Sequence, residues 1–159
     1  GKKDIDLIMN LQGDEPDIDI DDIRNLNTKM IKYESKIGTL ASKIRNNKIY
    51  TNKNVVKVKT KEPLSQNSFP LAENFMRNIK IKKKSNLFHH IGIYCYEVQT
   101  LKRFISFKQS KNEIENKLEQ LRALDNNIDI NVALANCSPI GVDTMEEYID
   151  IKKIMEYKE

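Results

Sequence analysis

No stretch of this sequence approaches the roughly 20 consecutive apolar residues that cross a bilayer, and no signal-like start precedes its first apolar run, Ile5-Asp6-Leu7-Ile8-Met9. A soluble protein with no membrane partner is expected. Only two cysteines, Cys95 and Cys137, occur in 159 residues. They lie far apart and form neither a CxxC pair nor a metal-type cluster, which argues against a disulfide framework or a zinc site and fits a reducing cytoplasm. The five glycines, at positions 1, 13, 38, 92 and 141, match neither GxGxxG nor the P-loop pattern, so a phosphate-cradling loop is absent. Arginine is scarce as well: 5 Arg accompany 22 Lys in a chain of net charge +4. The densest basic run, Lys80-Ile81-Lys82-Lys83-Lys84, has no neighbouring aromatic ladder on which bases could stack, so it reads as a solvated loop and no nucleic-acid partner is expected. Internal repeats and low-complexity segments are also missing.

What remains is the size of one domain. The chain opens Gly1-Lys2-Lys3 and is already apolar by Ile5, so it is expected to start mid-fold, as a single incomplete domain over 1–159. Residues 5–11 read as a strand buried on both faces, ended by Gly13 and Pro16. Asp21 or Asp22 can cap a helix whose apolar face is Ile23, Leu26, Met30 and Ile31. Strands are expected at 37–42 and 55–58. Residues 59–84 carry Pro63 and Pro70 and show no clean periodicity, so they read as an insertion or mobile segment. The run from His90 to Tyr96 predicts a strand with His90, Gly92, Tyr94 and Tyr96 on one face and Ile91, Ile93 and Cys95 on the other. Helices follow at 98–107 and 113–124, the second with Leu118, Leu121 and Leu124 spaced for burial. A strand at 128–134 comes next, then a terminal helix opened by the capping box Thr144-Met145-Glu146-Glu147. Alternating strands and helices of this length imply an α/β sheet.

Ligands of open α/β sheets gather beyond the C-terminal ends of strands, which is where Asp14 falls. Gly13 lets a ligand approach the backbone, while Asp14 and Glu15 offer the hard oxygens that Mg²⁺ takes. Gly-Asp-Glu-Pro is equally compatible with a plain turn. Asp143, between a short apolar run and the capped helix, is a second carboxylate of the same kind, or simply a helix cap. His89 and His90 have no third ligand at a recognisable spacing. His90 suits hydrogen bonding or acid–base work beside Tyr94, or ordinary partial burial.

Six short segments stand in a meaningful order: Asn10-Leu11-Gln12-Gly13-Asp14-Glu15-Pro16, Thr39-Leu40-Ala41, Asn54-Val55-Val56-Lys57-Val58, His90-Ile91-Gly92-Ile93-Tyr94, Leu118-Glu119-Gln120-Leu121-Arg122 and Ile140-Gly141-Val142-Asp143-Thr144. In this the chain resembles the C-terminal two-thirds of the 3-deoxy-manno-octulosonate cytidylyltransferases, or CMP-Kdo synthetases. The resemblance implies a nucleotide-diphospho-sugar transferase-like (Rossmann-like) mixed sheet with flanking helices whose N-terminal part is missing, usually as a homodimer. It also implies conversion of CTP and Kdo to CMP-Kdo and pyrophosphate in the cytoplasm, toward lipopolysaccharide. By the same resemblance Asp14 and Asp143 are the Mg²⁺ carboxylates, and Gln12, His90, Tyr94, Glu119 and Gln120 lie near the sugar.

Kdo is a carboxylate rich in hydroxyls and needs a cation, which Arg77 could supply. The family's Tyr-Phe-Ser-Arg-Ser segment stands here as Asn74-Phe75-Met76-Arg77-Asn78, keeping Phe and Arg. Its Pro-Ala-Arg loop for CTP has no counterpart in these 159 residues, so this stretch by itself is expected to be inactive. Two other readings stay open: a cytidylyltransferase for another acidic sugar, such as sialic acid or amino-Kdo, and a non-catalytic dimerising module.

Overall fold

The computed structural model describes residues 5–11, 19–45, 47–79 and 85–136, together with Met145, Ile149, Lys152 and Lys153, which are helical. In chain order the elements are β1 (Leu7–Asn10), α1 (Ile20–Lys32), β2 (Ile37–Ser42), α2 (Lys48–Thr51), β3 (Lys57–Thr60), β4 (Ala72–Met76), β5 (Leu87–Glu97), α3 (Val98–Ser106), α4 (Lys111–Asn116), α5 (Leu121–Asp125) and β6 (Ile130–Leu134). The six strands make one mixed sheet in the order β4-β3-β5-β2-β6. β6 runs parallel to β2, and the other pairs are antiparallel. β2 occupies one edge of β5 along its length, so β3 and β1 share the opposite edge end to end, against residues 87–89 and 94–97.

Helices cover both faces. Leu26 and Met30 of α1 pack with Leu40, Ile91, Ile93, Cys95 and Ala133 on one side. Phe104, Leu118, Leu121 and Ala123 pack with Val58, Phe75, Tyr94 and Val132 on the other. The expected division of β5 into a Tyr94 face and an Ile91-Ile93-Cys95 face is therefore what the two cores use.

Several elements differ from their sequence reading for identifiable reasons. β1 is not buried on both faces: Leu7 and Met9 pack inward while Ile8 is 39% exposed. α1 is capped by Asp19, whose carboxylate accepts from Asp21 N at 2.9 Å. The buried face is Asp22, Leu26, Lys29 and Met30, spaced as one stripe of the helix, and Ile31 is 64% exposed. β3 begins at Lys57 rather than at 55, because an Asn52 side chain accepts Asn54 N and the Asn52 and Val55 carbonyls turn toward the Lys57 ammonium. β4, inside the 59–84 segment, shows no alternation because the ladder slips between Lys59 and Thr60, so Ala72 and Phe75 are its buried residues. The single helix read at 113–124 is two, α4 and α5, broken by the left-handed Lys117 (φ 52°, ψ 48°). The break lets Leu118 and Leu121 both reach the core.

The chain before β4 also closes the far edge of the sheet. Val132 N donates to Pro70 O at 2.9 Å, Asn131 Nδ2 to Phe69 O at 2.7 Å, and Leu71 bridges Asn131. These bonds satisfy the outer edge of β6, which would otherwise present unpaired backbone groups. Lys29 Nζ holds the same arch from α1, donating to Gln66 O and Ser68 O at 2.8 and 2.9 Å.

α1 lies close to β2 because Gly38 has no side chain: a Cβ there would sit 2.5 Å from Met30 Sδ and 3.0 Å from a Leu26 methyl. Gly38→Ala is expected to lower stability by about 1–3 kcal/mol through overpacking. Urea denaturation checks this, and the loss should be less than additive with that of Met30→Ala, since the shorter side chain removes the clash.

Candidate active site

β2 and β5 fall out of register at one point. Thr39 is opposite Tyr94 but Leu40 is opposite Ile91, so the register skips Gly92 and Ile93. A slip of two keeps every side chain on its face while interrupting the ladder. Thr39 Oγ1, fully buried, sits at the interruption: it donates to Ile93 O at 2.7 Å and lies 3.0 Å from His90 Nε2. A hydroxyl has one proton, so with that proton on Ile93 O the His90 Nε2 must be the donor, which leaves Nδ1 as the acceptor of a neutral ring.

Burial, with His89 beside it, lowers the His90 pKa from its ordinary 6.5 to about 3. At neutral pH this ring hydrogen-bonds and does not shuttle protons. Around it runs a row of aromatic contacts. The Phe75 edge meets His90 at 5.1 Å, His90 meets Tyr94 at 5.5 Å, Tyr94 meets Tyr96 at 5.8 Å, and Tyr96 meets Phe104 at 6.1 Å. The Arg122 guanidinium ends the row, 4.9 Å over the Phe104 ring, held by two hydrogen bonds to the buried Glu113 at 2.7 and 2.5 Å. That pairing pulls the Glu113 carboxyl below the ordinary carboxylate range. Burial, followed by the Glu119 charge, pushes the Tyr96 phenol upward.

Comparison with known proteins bears on the family and the fold. The cytidylyltransferase family profile matches residues 1–130. The chain belongs to the cytidylyltransferase family. It is 40% identical over 148 residues to the 3-deoxy-manno-octulosonate cytidylyltransferase of Bartonella tribocorum, covering 93% of this chain and 60% of that protein. The chain thus spans about 60% of the length of the curated relatives it matches. A solved CMP:2-keto-3-deoxy-manno-octonic acid synthetase complexed with CTP superimposes with a TM-score of 0.83 at 27% identity, over 99% of this chain and 65% of that one. An apo UDP-glucose pyrophosphorylase, 12% identical with a TM-score of 0.64 over 96% of this chain and 55% of its own, shares the fold.

Within this cytidylyltransferase chain the predicted site residues divide. His90 and Tyr94 are in ring contact. Glu119, exposed, sits between α4 and α5 with an oxygen 3.4 Å from Arg122, and Gln120 caps α5 without a side-chain bond. Arg77 follows β4: continuing the ladder by one residue puts it in the row of Val56 and His90, and His90 N donates to Val56 O. Glu119 meets the end of the aromatic row through Arg122, whereas the Arg77 guanidinium donates to Lys53 O and Asn54 O. Gln12, Asp14 and Asp143 lie outside the described residues, as does the Lys80–Lys84 cluster, and among the described residues no three His, Cys, Asp or Glu side chains gather as a cation site.

The chain ends flanking those carboxylates are described, however. Asn10 pairs with Tyr94, and Asp19 caps α1. Asn136, where 137–144 begins, donates its N–H to both oxygens of the buried Asp22 at 2.9 and 3.0 Å. Both carboxylate-bearing segments are thereby rooted at the first turn of α1. Asp22, Asn136, Thr39 and Lys57 were not singled out individually from sequence. A lysine inside Val-Val-Lys-Val was the one visible signal, since a charge in an apolar run must find partners when it is buried.

The His90 shift has a pH consequence. The unfolded chain binds a proton near pH 6.5 and the folded one only near pH 3, so the stability is complete above 6.5 and declines as pH falls toward 3. The slope is up to about 1.4 kcal/mol per pH unit. In melting experiments between pH 7.5 and 4.5 the native protein should lose its advantage over His90→Gln as pH falls, whereas a constant gap contradicts the assignment.

Proposed function

We propose that the complete protein is a CMP-Kdo synthetase, joining CTP to Kdo with release of pyrophosphate. The reading is carried by one observation: the family's short motifs stand in order along the chain, and two of their residues, His90 and Tyr94, are in ring contact within a row of aromatic side chains on one face of the sheet. The 40% identity to a 3-deoxy-manno-octulosonate cytidylyltransferase supports it.

In this mechanism the anomeric hydroxyl of Kdo attacks the α-phosphorus of CTP in line; the new P–O bond forms as the bond to pyrophosphate breaks. The protein contributes position and charge, with no covalent nucleophile. Arg77 binds the sugar carboxylate. Neutral His90 accepts from a sugar hydroxyl through Nδ1, while Tyr94, Gln12, Gln120 and Glu119 bind the remaining hydroxyls. Asp14 and Asp143 would hold Mg²⁺. Their hard oxygens suit it, and the Asp22–Asn136 link draws the roots of both segments together. Bound there, the ion supplies charge neutralisation for the triphosphate. The enzyme works as a cytoplasmic homodimer, and the CTP grip lies in the part of the family length that these residues do not span.

Pyrophosphate release by the complete protein should require both CTP and Kdo. Sialic acid and amino-Kdo should compete poorly, and preference for either would redirect the assignment to that sugar. Absence of any sugar-dependent release would instead favour a dimerising module. Asp14→Asn and Asp143→Asn should each lower turnover at least about 100-fold, equivalent to about 2.7 kcal/mol in the barrier. Their melting temperatures should stay near that of the native protein, and near-normal rates in both would rule out the metal assignment.

A further inference from the structure

Among the described residues Lys57 is the largest fully buried side chain, 0% exposed, and it forms an ion pair with none of their carboxylates. Its three ammonium protons go to three backbone carbonyls: Asn52 O at 2.6 Å, Val55 O at 2.7 Å and Arg77 O at 2.5 Å. Two of these acceptors belong to the turn before β3 and the third to the residue after β4. The two carbonyls that the turn has left, Lys53 O and Asn54 O, accept from Arg77 Nη1 at 3.5 and 2.9 Å. Four successive carbonyls are thus shared between two cations, the outer pair on Lys57 and the inner pair on Arg77.

Burial, and then the neighbouring Arg77 charge, lowers the Lys57 pKa below its ordinary 10.5. The site therefore works against the charge that its carbonyls favour. A methionine or leucine would fill the same space without that cost, which asks for a reason beyond packing. The reason lies in the third acceptor. Arg77 directly follows a short edge strand of irregular register, where a long side chain is otherwise free to sample many rotamers. Holding its carbonyl from inside the core, and its guanidinium through the same turn, fixes both ends of the residue.

We propose that Lys57 is a positioning residue for Arg77, presenting the guanidinium to the carboxylate of the acidic sugar. The proposal rests on the reading that Arg77 meets that carboxylate. Lys57 itself touches no substrate; it acts through the backbone of Arg77 and the shared turn. A packing role alone would change stability and overall turnover without distinguishing a charged sugar from a neutral one.

The test uses the complete protein and follows pyrophosphate release with Kdo and with its carboxamide, each at saturating CTP. Lys57→Met should raise KM for Kdo roughly tenfold, as expected when one charge-assisted contact fails. It should leave KM for CTP and the carboxamide's kcat/KM within about twofold. Combined with Arg77→Gln it should add nothing further, because the two act on one contact. Equal losses on Kdo and its carboxamide, or additive losses with Arg77→Gln, overturn the proposal.

If Arg77→Gln itself leaves the preference for the acid intact, it is the site reading that fails. Should Lys57→Met not fold, Lys57→Gln keeps an amide donor at the turn and is read in the same way. The native protein gives an independent measure. On addition of Kdo the ¹⁵N resonance of the Lys57 ammonium should shift with that of the Arg77 guanidinium, and an unmoved Lys57 signal beside a shifted Arg77 signal counts against the coupling.

Discussion

The hydroxyl of Thr39 sits where β2 and β5 lose register, donating to one carbonyl of β5 and accepting from a histidine of the same strand. β5 has to serve β2 on one edge and both β3 and β1 on the other, and a regular ladder does not satisfy three partners that approach at different places. The slip at Gly92 and Ile93 absorbs the mismatch, and Thr39 donates to Ile93 O at the interruption. Because the slip is of two residues, the aromatic side chains stay on one face. Because the hydroxyl proton is already committed, Nε2 of His90 carries the ring hydrogen, and burial keeps the ring neutral with Nδ1 as its acceptor. The geometry of the candidate site descends from that arrangement.

The second feature is where the buried charge goes. Lys29 and Lys57 are both buried, and both end on backbone carbonyls rather than on carboxylates. Each ties an irregular segment to the core: Lys29 the arch that seals β6, Lys57 the turn that leads into β3. Asp22 does the same in the opposite sense, accepting the N–H of Asn136. Loops have no ladder to hold them, and a buried ion that needs several partners supplies one. The exposed pairs Arg24–Asp21 and Lys111–Glu115 lie in water and add little by comparison.

Much of the fold could be read from the chain. The six-residue β2, the faces of β5 and the start of α3 were legible in the residue pattern of the chain. The readings failed where a long-range contact overrode local pattern. β3 starts late because Lys57 draws carbonyls out of the ladder. β4 has no alternation because of the slip beside it, and one helix became two because Lys117 adopts a left-handed conformation that lets two leucines into the core. Of the site, the ordered motifs named Gln12, Asp14, His90, Tyr94, Glu119, Gln120 and Asp143, and the Asn74–Asn78 segment added Arg77, but nothing in them distinguished a proton shuttle from a neutral hydrogen-bonding ring.

By itself the sequence determined the α/β class and the family, and it named candidate site residues, since residue types in order carry that information. Only the tertiary structure decided the protonation state of His90, the contact of His90 and Tyr94 within one aromatic row, and the sharing of four carbonyls between Lys57 and Arg77. Each of these depends on which groups meet across strands distant in sequence, and on how little water reaches them. The segment bearing Asp14 remains, as in the sequence, a candidate metal site, now rooted through Asp19 and Asp22 at the same helical turn that receives Asn136.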